Sequence, residues 1–109
     1  MEEYRIVLES QLGPREGSLL LEERGNGVLV GSITLLGVEN SVQGERKDKN
    51  FIRLSHHLRT QVSDLECVSV FRLEGDRLSG TLQSSKCTML WRGEKVTAGK
   101  GGFRKNAGK

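Results

Sequence analysis

The chain has 109 residues, 35% of them hydrophobic, which fits one domain with a small core. Its formal charge is +3, but four basic residues beyond position 97 leave the preceding body at −1. With only five aromatic residues in addition, this pattern argues against nucleic-acid binding, which needs positive charge and stacking aromatics on one folded face.

Alternation and turn residues predict four strands in the first half of the chain. These strands span residues 4–9, 17–23, 29–35 and a short fourth strand at 38–42. A turn is expected at 12–14, and Gly25-Asn26-Gly27 is a strong hairpin signal because Gly and Asn tolerate positive φ. The alternation places Tyr4 and Asn40 on the inward faces of the first and fourth strands.

The second half is predicted to repeat this arrangement after a charged turn at residues 44–50. Its strands span residues 51–60, 66–73, 78–84 and 87–92. A turn near residues 61–64 and a tight hairpin at Gly75-Asp76 join them. His56 shares a face with Ile52 and Leu54, so it is predicted to point inward, whereas the adjacent His57 points outward.

The two halves are similar at an offset of 49 residues. The segment 29–33 recurs at 78–82, Gly44 recurs as Gly93, and 19–21 aligns with 68–70. This pattern predicts a four-strand unit used twice, over residues 4–44 and 53–93, with Gly31 on Gly80 and Ile33 on Leu82. At its start the offset pairs Val7 with His56, which reverses the inferred faces and indicates either an insertion or a less exact repeat in this region.

Composition and pattern together predict an all-β fold. No alanine precedes position 98, while valine is frequent, so no helix longer than one turn is expected over 1–97. Eight antiparallel strands in a meander can close into a small calycin-like barrel, which removes exposed edges. A two-sheet β-sandwich is the alternative. Residues 1–96 form the predicted domain, and the basic Gly/Lys-rich tail 97–109 is expected to be weakly structured.

The strand order and turn lengths resemble the small lipocalin- and avidin-like up-and-down barrels. The Gly-x-Leu-x-Gly-[Ser/Thr] punctuation, as at residues 27–32, is also similar to small uncharacterised bacterial β-meander proteins with repeated hairpins. The resemblance covers about residues 4–93 and implies a barrel fold. It implies little about activity, since the tryptophan-rich ligand box of avidins is missing and Trp91 stands alone.

Four residues are candidates for a ligand site: Tyr4, Asn40, His56 and Trp91. Small barrels orient a ligand with a few polar groups in an apolar lining. Three of the candidates also have a structural interpretation. His56 is more simply a hydrogen-bonded core histidine, Asn40 a residue that caps a strand end or turn, and Trp91 an aromatic core residue.

No signature of a metal, cofactor or catalytic site is found, so no cofactor and no metal are expected. The two histidines point to opposite faces and cannot readily share one metal. Cys67 and Cys87 fall on the predicted sixth and eighth strands, about 10 Å apart by strand spacing, so both thiols are expected to be free.

The sequence therefore favours a barrel that binds a small apolar or amphipathic ligand in its interior. The alternatives are a non-enzymatic oligomeric interaction module, or a small enzyme using His56 as acid or base, with the non-enzyme favoured.

Residues 20, 30 and 90 on outer faces suggest a homo-oligomer. The acidic N-terminus and the interrupted apolar segment 28–38 predict a cytoplasmic protein without a signal peptide or membrane span.

Overall fold

A computed structural model describes residues 2–59 and 64–96. Eight antiparallel strands follow one another in chain order, and β1 pairs with β8 to close a barrel. The strands are β1 (Glu2–Ser10), β2 (Gly13–Arg24), β3 (Val28–Leu35), β4 (Val38–Asp48), β5 (Phe51–Arg59), β6 (Asp64–Glu74), β7 (Arg77–Ser84) and β8 (Thr88–Lys95). The predicted all-β, eight-stranded antiparallel barrel is confirmed, and the sandwich alternative is wrong because every strand has two neighbours in one closed sheet.

The core lies inside the barrel because each strand alternates inward and outward side chains. Inward positions carry aliphatic residues almost throughout, and the bulkiest fully buried side chains are Trp91 and Phe71. Their ring centroids are 5.6 Å apart with planes tilted by 41°. The middle of the barrel is therefore filled by side chains, as expected for a barrel of this strand number.

The turns alternate between the two ends of the barrel. We call the end with the Gln11-Leu12, Leu36-Gly37 and Ser85-Lys86 turns the proximal end, and the end with the Gly25–27, Lys49-Asn50 and Gly75-Asp76 turns the distal end. Both predicted glycine hairpins are present, with Asn26 at φ 57° and Gly75 at φ 62°. No helix among residues 2–59 and 64–96 is long and apolar enough to cross a membrane.

The fourth strand is longer than predicted. The charged segment 44–50 was expected to form a turn, but β4 continues to Asp48 and the turn is confined to Lys49-Asn50. Opposite charges support this extension: Arg46 pairs with Glu23 of β2 at 2.9 Å, and Glu45 lies across from Arg53 of β5. The register shifts between Arg46 and Asp48, and the pairing continues past this irregularity to Asp48 opposite Phe51.

The offset between the two halves changes along the chain. Gly31 lies opposite Val42, and Gly80 lies opposite Trp91, so the third and fourth strands correspond to the seventh and eighth at 49 residues. Gly31 also lies opposite Leu21, whereas Gly80 lies opposite Phe71, so the second and sixth strands correspond at 50. The alignment of 19–21 with 68–70 is therefore wrong by one residue, and the three-residue turn at 25–27 against two residues at 75–76 accounts for the difference. A common origin of the halves stays a prediction.

The outer surface carries several large apolar side chains. Leu12, Leu36 and Leu90 are 85%, 63% and 58% exposed, while Leu20 and Val30 are half-buried. Leu12 and Leu36 lie in neighbouring hairpin turns at the proximal end. Self-association stays a prediction. The tail 97–109 lies outside the described residues, and so do residue 60, predicted to end the fifth strand, and residues 61–63 of the turn predicted near 61–64; Asp64 begins β6.

Candidate functional site

Three polar residues are buried inside the described part of the barrel: Asn40, His56 and Ser69. Asn40 and His56 are inward as the alternation predicted, and His57 is outward and exposed. Ser69 was missed because the alignment of 19–21 with 68–70 matched Val68 and Val70 to Leu19 and Leu21, whose side chains are buried in the barrel. The apolar bulk of Phe71 and the shorter Gly75-Asp76 turn are the sequence signals that would have set the correct face.

A continuous hydrogen-bond chain connects Trp91 to His56 through Ser69. The distance from Trp91 Nε1 to Ser69 Oγ is 2.9 Å, and the distance from Ser69 Oγ to His56 Nε2 is 2.7 Å. His56 Nδ1 lies 3.2 Å from the backbone oxygen of His57. An indole N–H only donates and a carbonyl only accepts, so the imidazole carries its proton on Nδ1 and the serine hydroxyl donates to Nε2. Every polar atom of this chain then has a partner.

Burial sets the charge state of His56. Removal of the ring from water lowers its pKa below the ordinary value, and the nearby His57 lowers it further, while the hydrogen bond to the His57 oxygen acts in the opposite direction. The neutral imidazole that results is the form required by the hydrogen-bond chain. The structural interpretation of His56 as a hydrogen-bonded core residue thus has direct geometric support.

We expect acid to destabilise the barrel through His56. Because its folded pKa lies below the unfolded value, the unfolded chain binds more protons as the pH falls below about 6.5. The contribution of His56 to stability is complete above that pH and is lost as the pH falls through the folded pKa. Urea denaturation at a series of pH values gives the free energy of unfolding at each pH. This free energy should fall less steeply with decreasing pH in His56→Gln than in wild type. The exposed His57→Gln is the control, and an unchanged profile in His56→Gln would contradict the assignment.

The barrel is split between β4 and β5 at its proximal end. Their register begins at Val42 opposite His56, so residues 38–41 of β4 and 57–59 of β5 have no partner across this pair. Side chains form some of the hydrogen bonds to backbone groups that strand pairing would otherwise supply. Asn40 Oδ1 accepts a hydrogen bond from the Arg59 N–H at 3.2 Å, and His56 Nδ1 donates to the His57 oxygen. We call this opening the β4–β5 gap.

Asn40 has one polar atom left over at this gap. Its Oδ1 is fixed by Arg59, which directs Nδ2 to the other side, and Nδ2 is buried with no hydrogen-bond partner among the described residues. A buried donor without an acceptor costs about 1–3 kcal/mol. A folded protein keeps an unpaired buried donor where another interaction offsets this cost. A hydrogen bond to an acceptor on a bound ligand is one such interaction.

An open groove of about 990 Å³ runs from the gap over the outer faces of β4, β5, β6 and β7. Asn40, Val42, His56 and Cys67 border it, although their buried side chains point into the barrel, and Ser84 at the end of β7 also lines it. Outward residues form the rest of its lining, which is mostly hydroxyl, amide and charged. They are Glu39, Ser41, Gln43, Arg53, Ser55, His57, Arg59, Glu66, Val68, Val70, Gln83 and Ser85.

Tyr4 lies apart from the other three predicted site residues. Its hydroxyl donates to Glu2 Oε1 at 3.0 Å near the distal end, and burial together with the Glu2 carboxylate raises its pKa to about 12. The structure therefore connects His56 with Trp91 through Ser69, and places Asn40 beside His56 at the gap. Tyr4 is not part of this group.

The cysteines contribute no reactive site in the described structure. Both thiols are free, and burial raises the pKa of Cys67 to about 11, so it is protonated near neutral pH. Cys87 lies in the turn before β8 rather than in the strand, and its sulfur is 3.7 Å from Ser84 Oγ. Among residues 2–59 and 64–96, no group of three or more His, Cys, Asp or Glu side chains is placed to hold a metal ion.

Comparison with known proteins identifies the fold alone. A scan against protein-family models and a search of curated proteins found no match. Among solved structures, the chain is similar to a redesigned β-barrel, mFAP1, bound to DFHBI, with a TM-score of 0.64 and 10% identity over 86% of this chain and 92% of that one. Another redesigned β-barrel matches with a TM-score of 0.62 and 8% identity, over 87% and 90%.

A third solved structure is apo lipid binding protein 8 of Caenorhabditis elegans. It matches with a TM-score of 0.46 and 13% identity, over 75% of this chain and 72% of that one. At the identities of the two redesigned barrels, the likeness concerns architecture rather than chemistry. It agrees with the closed antiparallel barrel that the strand pairing shows.

Proposed function

We propose that this barrel binds a small amphipathic molecule at the β4–β5 gap, with a polar acceptor of the ligand hydrogen-bonded to Asn40. The observation that carries the proposal is the buried Nδ2 of Asn40, which has no partner among the described residues. A ligand carbonyl, ether or hydroxyl oxygen that reaches Nδ2 recovers the free energy lost by leaving this donor unpaired.

The packing of the barrel supports the β4–β5 gap, rather than the centre of the barrel, as the ligand site. Ile52, Leu54, Phe71 and Trp91 are all at most 2% exposed and fill the middle. An eight-stranded barrel has room for packed side chains or one small ligand. The ligand of this proposal is therefore small and enters only the mouth of the interior, between Asn40 and His56.

The four predicted site residues receive different roles in this proposal. Asn40 is the polar contact, and His56 forms the wall behind it, held in place by Ser69. Trp91 acts through Ser69 by fixing the hydroxyl that orients His56. Tyr4, near the distal end with Glu2, takes no part in binding at the gap.

The fold is compatible with a ligand site in the barrel. The redesigned β-barrel mFAP1, which is similar to this chain over 86% of its length, was solved bound to the small molecule DFHBI. His56 is a poor acid or base by contrast, because both of its nitrogens are engaged and its pKa is lowered. Binding without catalysis is thus the function that this site supports best.

We expect Asn40→Ala to weaken the binding of small fragments at the gap by about fivefold, since one net hydrogen bond contributes about 1 kcal/mol. Fragments found by ligand-observed NMR on the full chain, and mapped to Val42 and His56 by amide shifts, provide the measurement. Asn50→Ala, at the distal turn of the same strand pair, is the matched control. Fragments that bind at the gap with equal affinity to Asn40→Ala and wild type would contradict the proposal.

The exposed leucines favour an interaction module as the second candidate. Leu12 and Leu36 lie on adjacent proximal turns, and Leu90 lies on the outer face of β8. A monomeric soluble protein seldom leaves a cluster of large apolar side chains exposed without a partner. Sedimentation equilibrium distinguishes this candidate: a dimer that Leu90→Ser or Leu36→Asn dissociates would support it, whereas a monomer at high micromolar concentration would not.

A further inference from the structure

We propose that the groove outside the barrel takes a neutral, hydroxyl-rich ligand, namely a short oligosaccharide, which lies across β4 to β7 with one end at the β4–β5 gap. This inference rests on the proposed function, because it names the class of molecule that would reach Asn40. Its own evidence lies on the outer face of the sheet, which the interior site does not use.

A row of small and amide side chains crosses the groove perpendicular to the strands. Gln43 of β4 lies opposite Ser55 of β5, Ser55 lies opposite Val68 of β6, and Val68 lies opposite Gln83 of β7. Four adjacent strands set the two amides about 14 Å apart, at three strand spacings. The row therefore forms a shallow floor with a hydrogen-bonding group at each end.

The neutral groups of this row are open to a ligand. Gln43, Ser55 and Gln83 are exposed, and Val68 between them is half-buried. An amide offers two donors and an acceptor, and a serine hydroxyl both donates and accepts. Sugar hydroxyls have the same dual character, and their C–H faces match the apolar Val68 surface. The chemistry of the floor thus fits a polyhydroxylated molecule.

The charged groups that line the groove are of both signs, with the carboxylates of Glu39 and Glu66 and the guanidinium groups of Arg53 and Arg59. Asp64 accepts from His57 at 2.9 Å and lies 3.6 Å from Arg59. Arg53 lies directly opposite Glu45 in the register of β4 and β5. Because two carboxylates and two guanidinium groups line the groove, and both arginines have a further carboxylate beside them, it offers no concentrated charge of one sign, which favours a neutral ligand over an anion.

Two other ligand classes fit less well. A fatty acid needs a long empty interior and a cation for its head group, but the centre is packed, and the buried polar residues of the described barrel are Asn40, His56 and Ser69. A peptide that adds as a strand needs free backbone groups, and those at the edge of the groove lie in the β4–β5 gap, in residues 38–41 and 57–59. Across the row from Gln43 to Gln83, by contrast, the pairs of β4 with β5, β5 with β6 and β6 with β7 are all made. On that floor only side chains remain for recognition.

The test titrates the full chain with maltotriose and with cellotriose at millimolar concentrations, followed by amide NMR shifts. Oleate and an uncharged tetrapeptide are measured in parallel. We expect one of the trisaccharides to shift the amides of Ser55, Val68 and Gln83. Ser55→Trp, which fills the floor of the groove, should abolish this response, whereas Ser79→Trp, at an exposed position of β7 outside the groove, should leave it unchanged.

The outcomes separate this inference from the proposed function. If neither trisaccharide shifts the groove amides, or if oleate or the tetrapeptide alone does, the inference is overturned, while a fragment response that depends on Asn40 would still support the proposed function. If a trisaccharide binds in a manner that depends on Ser55 but fragment binding ignores Asn40→Ala, the groove assignment stands and the interior site is wrong.

Discussion

Replacement of Gly80 by alanine is expected to abolish stable folding of the barrel. A Cβ at this position would lie 1.9 Å from the carbonyl oxygen of Val70 and 2.9 Å from its carbonyl carbon. Both atoms belong to the backbone of the neighbouring strand, so no side-chain rotation relieves the clash. The β6–β7 ladder must separate locally, and we expect a loss of more than about 4 kcal/mol, close to the whole stability of many small domains.

Thermal and urea denaturation, followed by circular dichroism, measure the effect of Gly80→Ala. Trp91 lies opposite Gly80 in the register, so its fluorescence reports on the same place. Ser79→Ala, one residue away and exposed, is the control and should change stability by less than about 0.5 kcal/mol. A Gly80→Ala protein with wild-type midpoint and cooperativity would show that the two strands are not held as closely as the structure has them.

The same close approach recurs around the barrel and explains how the sheet closes. At five strand glycines an added Cβ would lie within 2.3 Å of a carbonyl oxygen in an adjacent strand; they are Gly17, Gly31, Gly44, Gly80 and Gly93. Strand glycines allow a sheet to bend sharply where a side chain would keep neighbouring backbones apart. In the sequence these residues can be recognised as glycines within strands whose apolar and polar residues otherwise alternate regularly.

The sequence was sufficient for the fold because local signals agreed with one another. Gly25-Asn26-Gly27 and Gly75-Asp76 set two hairpins, and strict alternation from Ile52 to Leu58 set the face of β5. The charged segment after Gly44 was misread as a turn because its residues are individually polar. In the structure the first three charges of this segment have opposite charges nearby: Arg46 pairs with Glu23 of β2, and Glu45 pairs with Lys47 and lies opposite Arg53 of β5.

The candidate site was only partly predictable. The alternation of inward and outward positions identified Asn40 and His56 as inward polar residues, since each lies in a strand with clear apolar neighbours. It could not identify the β4–β5 gap, because both strands continue past the point where their pairing stops, and that separation depends on the path of the whole barrel. Ser69 was missed because a one-residue difference between two hairpin turns reverses the face of β6.

Ser69→Ala is expected to destabilise the barrel by about 2–5 kcal/mol, because it leaves two buried polar groups without partners. The hydroxyl of Ser69 accepts from Trp91 Nε1 and donates to His56 Nε2, and the side chain is fully buried. Removal of one oxygen atom therefore leaves an indole N–H and an imidazole nitrogen without hydrogen-bond partners in the apolar core. Ser55→Ala, an exposed serine on the adjacent β5, should change the free energy of unfolding by less than about 0.5 kcal/mol.

A double-mutant cycle separates the loss of this hydrogen-bond chain from simple loss of packing. His56→Leu in the Ser69→Ala background replaces one stranded polar group by an apolar side chain, so the double variant should recover part of the stability that Ser69→Ala loses. Urea denaturation of the four proteins gives the coupling free energy. If the two losses instead add, Ser69 does not hold His56, and the wall that we place behind Asn40 has no support from Trp91.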